Sequence, residues 1–427
     1  MVLSIHSPAD ARRSALFRYH TTCTSYLSDH VTLKPMERLR VETCVATVHS
    51  AAQLIIDGIN PDGTLDPEVY DFLGKLNRER AAYEPFLGGE LQGDVAIYYD
   101  KESMYDPPTR QRGPASRPEY PHRDALMGAG RILREAHIPF GLVTNANLSQ
   151  LKNYRAVIVP NVLEMTAEQA DQFRQFVKEG GVLYASGPSS LDRFNKDGPR
   201  YLLEEVLGVR YKGHLGTTVT YLTPQDAELR KVIWPQGEMT YLGPMLQAEA
   251  LSGAEVLGTV TLPWVAPELG HSIGSHFASI HSNPPAPTPG TSPAVVINPY
   301  GKGKAIWVAA PIETGSMVNA KVMVNLLKRN LPGPYKFEVE THPSVEMTLF
   351  HQAEKQRLLA GLLNMQEQLP LIPVGATVRV QVPTGRRVSA VLHLPDRQAM
   401  PTQTVGPYVQ FHFEPFEALA MALIEYQ

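Results

Sequence analysis

Short apolar runs alternate with helical segments through much of the chain. Four runs of strand length lie at 94–99, 139–143, 156–159 and 182–185. The amphipathic stretches between them predict parallel strands in one sheet, with helices on both faces. Residues 1–93 repeat the pattern less regularly, with strands expected at 15–20 and 51–56.

Capping residues mark the ends of two predicted helices. The pair Asp66-Pro67 begins one of them, because Asp is a favoured N-cap and Pro is favoured in the first turn. The other begins at Thr166, which has the capping-box spacing to Gln169, and Gly180-Gly181 ends it. A third helix is expected at 319–331.

The pattern changes after Pro332-Gly-Pro334. Strand-like runs follow at 336–341, 345–351, 356–362, 377–382, 388–394, 407–413 and 417–425. Their regular spacing predicts a small antiparallel β-sandwich. Upstream, strands at 294–298 and 305–309 flank a glycine-containing turn and predict a hairpin.

Composition narrows the function classes. The chain has 427 residues and a formal net charge of −4, without the positive charge typical of proteins that bind nucleic acids or anionic membranes. No apolar run reaches the roughly 18 residues of a membrane helix. Two cysteines, Cys23 and Cys44, cannot form a disulfide framework. We expect a cytoplasmic protein with no nucleic-acid or membrane partner.

Motifs for nucleotide, metal and serine-hydrolase chemistry are missing from the sequence. We find no Walker A, GxGxxG, HExxH or GxSxG motif and no zinc-ligand spacing among the 14 histidines. We therefore expect neither a metal nor a cofactor. Ser186, Ser189 and Ser190 follow a predicted strand, but no base accompanies them, which favours loop or cap hydrogen bonds. An amidotransferase would need a thiolate there, and both cysteines lie far upstream.

Several segments resemble a known family. They are LGGELQGDVAIYYD at 87–100, YRAVIVPN at 154–161, FVKEGGVL at 176–183 and YGKGKAIW at 300–307. Together they resemble the trimerisation region that follows the catalytic barrel in family-42 β-galactosidases. The segments RLRVET at 38–43 and SAAQLIIDG at 50–58 resemble the last strand and helices of that (β/α)8 barrel.

The resemblance implies an α/β protein with three domains. They are a partial barrel segment at 1–93, a flavodoxin-like domain, also found in class I glutamine amidotransferases, at 94–334, and a β-sandwich at 335–427. It also implies a homo-oligomer, with a trimer as the first expectation. A complete barrel takes about 250 residues. We therefore expect the family's acid/base and nucleophile glutamates to be missing here.

The residues of the barrel-like segment offer one incomplete sugar site. Glycoside hydrolysis needs two carboxylates about 5 to 9.5 Å apart. Asp57 is the one carboxylate expected at the carboxyl end of a strand, where catalytic groups of barrels collect, because Glu42 lies on a predicted helix and Asp62 in a turn. His49 and Gln53 are candidates for lining a carbohydrate site beside Asp57, the alternative being a strand end and its cap.

Three functions remain open. The favoured one is a glycoside-hydrolase-related chain with little activity alone, which serves in oligomerisation or as a scaffold or is a degenerate enzyme. The alternatives are a fragment of an active retaining glycosidase and a non-enzymatic carbohydrate-binding protein that uses the edge of its parallel sheet. Arg110, Arg112 and Arg117 of a proline-rich loop would then face the ligand, although a solvated loop is the simpler interpretation.

Overall fold

The structure, a computed structural model, describes residues 18–26, 29–105, 120–215, 217, 219–233, 237–265 and 283–427. Its contacts divide into two compact units. The central unit comprises Val95–Ile132 and Leu142–Gly333. Of the described residues, the terminal unit comprises 18–94, Leu133–Gly141 and Pro334–Gln427.

The elements are numbered in chain order. The strands are β1 (Arg18–Thr22), β2 (Thr24–Tyr26), β3 (Asp29–Leu33), β4 (Ala52–Ile56), β5 (Glu90–Leu91), β6 (Val95–Tyr99), β7 (Phe140–Thr144), β8 (Ala156–Pro160), β9 (Val182–Ser186), β10 (Leu191–Asp192), β11 (Arg200–Tyr201), β12 (Val209–His214), β13 (Thr220–Pro224), β14 (Met239–Tyr241), β15 (Leu246–Ala250), β16 (Glu255–Thr261), β17 (Pro293–Tyr300), β18 (Gly303–Val308), β19 (Phe337–Glu340), β20 (Val345–Gln352), β21 (Arg357–Asn364), β22 (Val374–Gln381), β23 (Val388–Leu394), β24 (Gln403–Val405), β25 (Tyr408–Phe416) and β26 (Leu419–Tyr426). The α-helices are α1 (Met36–Val48), α2 (Pro67–Ala81), α3 (Lys101–Tyr105), α4 (Pro121–Glu135), α5 (Ala167–Lys178), α6 (Glu204–Leu207), α7 (Ala227–Ile233) and α8 (Met317–Asn330). Short 3-10 helices are η1 (Glu84–Phe86), η2 (Asn145–Asn153), η3 (Ile312–Thr314) and η4 (Ala353–Lys355).

A nine-stranded sheet forms the frame of the central unit, in the order β14-β13-β16-β17-β18-β9-β8-β6-β7. Strands β6, β8 and β9 run parallel, as the alternating sequence pattern predicted. Strand β18 extends this parallel set beside β9. Strand β17 joins β18 antiparallel through the predicted hairpin. Gly301 takes a φ of 58° at its turn, a conformation that costs glycine little. Strands β8 and β9 are buried along their whole length, so both faces of the sheet are covered there.

Local capping chemistry sets the helix boundaries. The structure confirms the capping box of α5: the Gln169 backbone N–H donates to Thr166 Oγ1, and the Thr166 N–H donates to Gln169 Oε1. Helix α8 begins two residues earlier than the sequence predicted. The reason is a second capping box, in which the Ser316 N–H and hydroxyl both donate to Asn319 Oδ1.

Two antiparallel sheets of the terminal unit share one apolar core. Their strand orders are β19-β22-β25-β24 and β23-β26-β21-β20-β5, and side chains from both sheets pack together in that core. Helix α1 packs on strand β21, where a Cβ at Gly361 would lie 2.7 Å from Val48 Cγ2. Glycine is therefore needed at position 361 for this close approach.

Strands β1 and β4 form a separate two-stranded parallel sheet in the terminal unit. Ile55 of β4 packs with Leu39 of α1 and Leu73 of α2, so the two helices cover one face of this sheet. No helix among the described residues is long and apolar enough to cross a membrane.

Candidate functional site

The carboxyl edge of β1 and β4 is the place where the sequence predicted a sugar site. Thr22 pairs with Ile56 at the end of the two strands, so Cys23, which joins β1 to β2, and Asp57, which follows β4, lie at the same edge. The Cys23 N–H donates to the Ile56 carbonyl over 2.9 Å. In barrel enzymes this edge carries the catalytic groups.

The Cys23 thiol at this edge is not expected to act as a nucleophile. Burial raises its pKa to about 11, the charge of Asp57 adds to the shift, and Lys34 opposes it. Since the thiolate is the nucleophilic form, Cys23 stays protonated and unreactive at neutral pH. Cys44, also a buried free thiol, has a pKa raised to about 12, mainly by burial.

The nearby carboxylate of Glu42 is already fully engaged. It accepts hydrogen bonds from Lys34 Nζ over 2.9 Å, from Arg38 Nε over 3.2 Å and from the Thr21 hydroxyl. The Thr21 hydrogen bond joins α1 to β1, and the ion pairs with Lys34 and Arg38 balance the charge of Glu42. Among the described residues, Asp57 is therefore the one carboxylate that directly follows β1 or β4.

The other two predicted site residues lie elsewhere. His49 is buried at the C-terminal end of α1, and its Nε2 lies 3.1 Å from Glu346 Oε1 of β20. Gln53, near the start of β4, donates from Nε2 to the Thr43 hydroxyl of α1 over 2.9 Å. Asp57 follows the opposite end of β4, about 13 Å from Gln53 at the usual strand rise. The structure does not bring the three residues together.

A cleft between α1, α2 and β26 is too small for a sugar. Its volume is about 50 Å³, and Arg40, Glu79 and Tyr83 contribute to its lining. That is room for a few water molecules. Arg40 already binds Glu79 on α2 and Glu417, so its guanidinium is occupied as well.

A second polar cluster lies at the carboxyl edge of the central unit's parallel strands. Asp100 directly follows β6 and is buried. Its Oδ1 accepts from the Tyr98 hydroxyl over 3.2 Å and from Asn145 Nδ2 over 3.1 Å, and its Oδ2 accepts from the Ser103 N–H over 2.6 Å. These bonds join the ends of β6, β7 and α3.

His122 completes this cluster but cannot act as a base. Its Nε2 accepts from the Asp100 N–H over 3.0 Å, which leaves Nδ1 to donate to the Pro160 carbonyl over 2.8 Å. Burial lowers the pKa of His122, against the effects of the Pro160 hydrogen bond and of Asp100. Both ring nitrogens are used, so the role of the neutral imidazole is to hold α4 against β6 and β8.

The serines after β9 have partners that correct one sequence interpretation. The Ser189 hydroxyl donates to backbone carbonyls and accepts from the Val162 N–H, as loop satisfaction predicted. The Ser186 hydroxyl, however, donates to the carboxyl group of Glu313, a possible base that the sequence did not reveal. Neither Ser186 nor Glu313 is exposed, so the pair is closed to a substrate in this conformation.

The position of Asp100 could be predicted from local sequence, whereas the contact of Glu313 could not. Asp100 comes directly after the apolar run 95–99, where a carboxylate at a sheet edge can be anticipated. Nothing near Glu313 indicated its partner, which lies 127 positions away. Within the described ranges, no group of three or more His, Cys, Asp or Glu side chains has the arrangement of a metal site. Arg110, Arg112 and Arg117 lie outside the described residues.

Comparison with known proteins places this geometry in context. No protein-family model matches the chain. β-Galactosidase BgaB from Geobacillus sp. (strain Y412MC61) is 24% identical over 248 residues, which are 56% of this chain and 31% of that protein. The chain thus spans about a third of the length of the curated relatives it matches.

Solved structures share the fold. α-L-Fucosidase isoenzyme 2 from Paenibacillus thiaminolyticus has a TM-score of 0.76 and 23% identity, over 98% of this chain and 62% of that chain. The family-42 β-galactosidase Gan42B has a TM-score of 0.64 and 14% identity, over 95% of this chain and 53% of that chain. The chain is β-galactosidase-like.

The β-galactosidase-like chain is also similar to the β-galactosidase from Bacillus circulans sp. alkalophilus, with a TM-score of 0.63 and 13% identity over 95% of this chain and 55% of that chain. The resemblance to family 42 is therefore confirmed, as is a mixed α/β fold with several sheets. In each comparison a large part of the relative has no counterpart here.

Proposed function

We propose that this β-galactosidase-like chain is a glycoside-hydrolase-related scaffold that does not hydrolyse sugars by itself. The carboxyl edge of β1 and β4 carries the proposal. Among the described residues, this edge presents one available carboxylate, Asp57, because Glu42 is ion-paired. Glycoside hydrolysis needs two carboxylates across the bond. Of the predicted carbohydrate-site residues, Asp57 is the one that the geometry favours.

The topology supports the three-domain organisation implied by the resemblance. The order β7-β6-β8-β9-β18 corresponds to the order 2-1-3-4-5 of flavodoxin-like sheets. The shared core of the two antiparallel sheets fits a β-sandwich, and the run β1-α1-β4-α2 fits part of a (β/α)8 barrel. We accordingly assign 1–93 to a partial barrel, 94–334 to a flavodoxin-like domain and 335–427 to a sandwich. We further propose that the protein is a cytoplasmic homo-oligomer, with a trimer as the first expectation.

An activity assay tests the proposal. Purified chain is incubated with 4-nitrophenyl β-galactoside and 4-nitrophenyl α-fucoside, beside the Asp57→Asn variant. We expect no turnover above that of the variant. Turnover at ordinary enzymatic rates, about 1 to 10³ per second, would overturn the proposal, and its loss in Asp57→Asn would identify the group responsible.

A second candidate is that the chain works as part of a longer, active glycosidase. It is favoured by partial coverage, since the chain matches 62% of the fucosidase structure and 31% of BgaB. An immunoblot of source cells, with antibody raised against this chain, distinguishes the two. A band well above 47.2 kDa under denaturing conditions favours the longer enzyme, and a band at that mass favours the scaffold.

A further inference from the structure

Glu313 in η3 is a buried carboxyl group at the end of the central sheet. Its side chain is fully buried, and it accepts hydrogen bonds from the Ser186 hydroxyl and from the Tyr184 hydroxyl, the latter over 3.3 Å. Tyr241 of β14 is the other titratable side chain close enough to interact with it. Of the described Lys, Arg and His side chains, none forms an ion pair with it. A charged carboxylate is costly in such a setting.

The contacts of Glu313 reach the loops at the carboxyl edge of the sheet. Ser186, its partner, ends β9 and also accepts the N–H of Asn161, which follows β8, over 3.1 Å. Asn161 has a φ of 50°, a left-handed conformation that asparagine adopts more readily than most residues other than glycine. Helix α4 approaches so closely that a Cβ at Gly128 would lie 2.2 Å from the Glu313 carbonyl oxygen. The Glu313 carboxyl group thus connects η3 to β9, and through Ser186 to the residue after β8, while the Glu313 backbone packs against α4.

We propose that Glu313 is a proton-operated latch on this edge of the central unit. In its neutral form it holds η3 against the ends of β8 and β9. When it loses its proton, the buried charge has hydroxyl groups but no cation to stabilise it, and the latch opens. In open α/β sheets ligands bind at this edge, so the latch controls access to the region where a ligand would enter.

The direction of the pH effect follows from burial. Burial raises the pKa of Glu313 from its ordinary 4.5 to about 7, although the hydrogen bonds from Ser186 and Tyr184 work in the opposite direction. The neutral carboxyl stabilises the closed form fully below about pH 4.5, and this stabilisation is lost as the pH rises to about 7. The opening equilibrium constant increases by up to about tenfold per pH unit in this window and then levels off.

Hydrogen exchange followed by mass spectrometry tests the latch. Peptides covering 161–163, 186–190 and 311–315 are compared between pH 5 and pH 8, after correction for intrinsic exchange rates. We expect Glu313→Gln to remove the pH-dependent opening in these peptides. Glu255→Gln, which changes an exposed carboxylate of the same unit, should leave the opening as in the unmodified chain. An identical pH dependence in the unmodified chain and in Glu313→Gln would overturn the proposal.

A second variant covers the case in which Glu313→Gln does not fold. The Ser186 hydroxyl lowers the pKa of Glu313, so Ser186→Ala should move the upper end of the opening window to higher pH. A window that stays in place in Ser186→Ala would contradict the latch.

Discussion

The two strand edges neutralise their carboxylates in different ways. At the edge of β1 and β4, Glu42 is balanced by the cations of Lys34 and Arg38. At the edge of β6, β8 and β9, Asp100 and Glu313 are buried and receive hydrogen bonds from uncharged donors. In the second arrangement, burial raises the pKa of Glu313, so Glu313 is the group there whose proton release can alter the contacts.

This difference bears on function. Neither edge, among the described residues, presents two carboxylates to a common opening. The polar groups that sequence patterns would assign to catalysis serve to fasten helices and loops to strands. The predictions below test that distinction, from the largest expected effect to the smallest.

His49 should behave as a structural residue. Burial acts to raise the pKa of Glu346, and the interaction with His49 is the largest of those that lower it. His49→Ala therefore removes the main partner of a buried carboxyl group. We expect a loss of about 3 to 5 kcal/mol in the free energy of unfolding, measured by chemical denaturation. The double variant His49→Leu with Glu346→Leu should recover most of it. A small effect in His49→Ala would reopen its assignment to a sugar site.

Gly128 should be intolerant of any side chain. Its Cβ would meet the Glu313 carbonyl oxygen, a backbone atom that cannot rotate away, and we expect Gly128→Ala to cost about 2 to 3 kcal/mol. Gly74 of α2 is the matched helix control, because its Cβ would meet only the flexible end of Arg78, at 3.3 Å. Gly74→Ala should be neutral or stabilising by up to about 1 kcal/mol. Equal effects of the two substitutions would refute the close packing of α4 on η3.

His122 should oppose Glu313 in its pH dependence. Burial lowers the pKa of His122 in the folded protein. The contribution of His122 to the free energy of unfolding is therefore fully present above its ordinary pKa of 6.5, and it is lost as the pH falls below that value. The slope cannot exceed about 1.4 kcal/mol per pH unit. Urea denaturation of the unmodified chain and of His122→Gln between pH 5 and 7 measures it. The difference in unfolding free energy between the two proteins should change with pH, and a constant difference would contradict the neutral imidazole.

Asp57 should have the smallest effect on stability. It is half-buried, and we expect Asp57→Asn to change the free energy of unfolding by less than about 0.5 kcal/mol. Because the charge of Asp57 raises the pKa of Cys23, the substitution should lower that pKa, as followed by NMR of labelled cysteine. A large destabilisation would mean that Asp57 has a structural role at this edge and is not available to contact a ligand.

Much of the fold could be predicted from local sequence, and most of the polar contacts could not. The strands β8 and β9, the cap at Asp66 and the capping box at Thr166 follow from patterns a few residues long. By contrast, Ser186 and Glu313 are 127 positions apart, and the partner of His49 lies on β20. Periodicity carries no information about such pairs, because they depend on how the elements pack.

The predicted site shows the same limit. Asp57 could be placed at a strand end because strand ends are a local feature. His49 and Gln53 lie near it in the sequence, but His49 follows the end of α1, before β4 begins, and Gln53 is four residues before Asp57 along an extended strand. Proximity along the chain therefore did not become proximity at the edge.

The proposal that this chain does not hydrolyse sugars by itself is tested most directly by covalent trapping. Retaining glycosidases form a glycosyl-enzyme intermediate on a carboxylate. With 2-deoxy-2-fluoro sugars that carry good leaving groups, this intermediate accumulates. The purified chain is incubated with the galactosyl and fucosyl reagents and its intact mass is recorded. We expect the mass to stay at 47.2 kDa. A stoichiometric addition of one fluorosugar, located by peptide mapping on an Asp or Glu, would contradict the scaffold function.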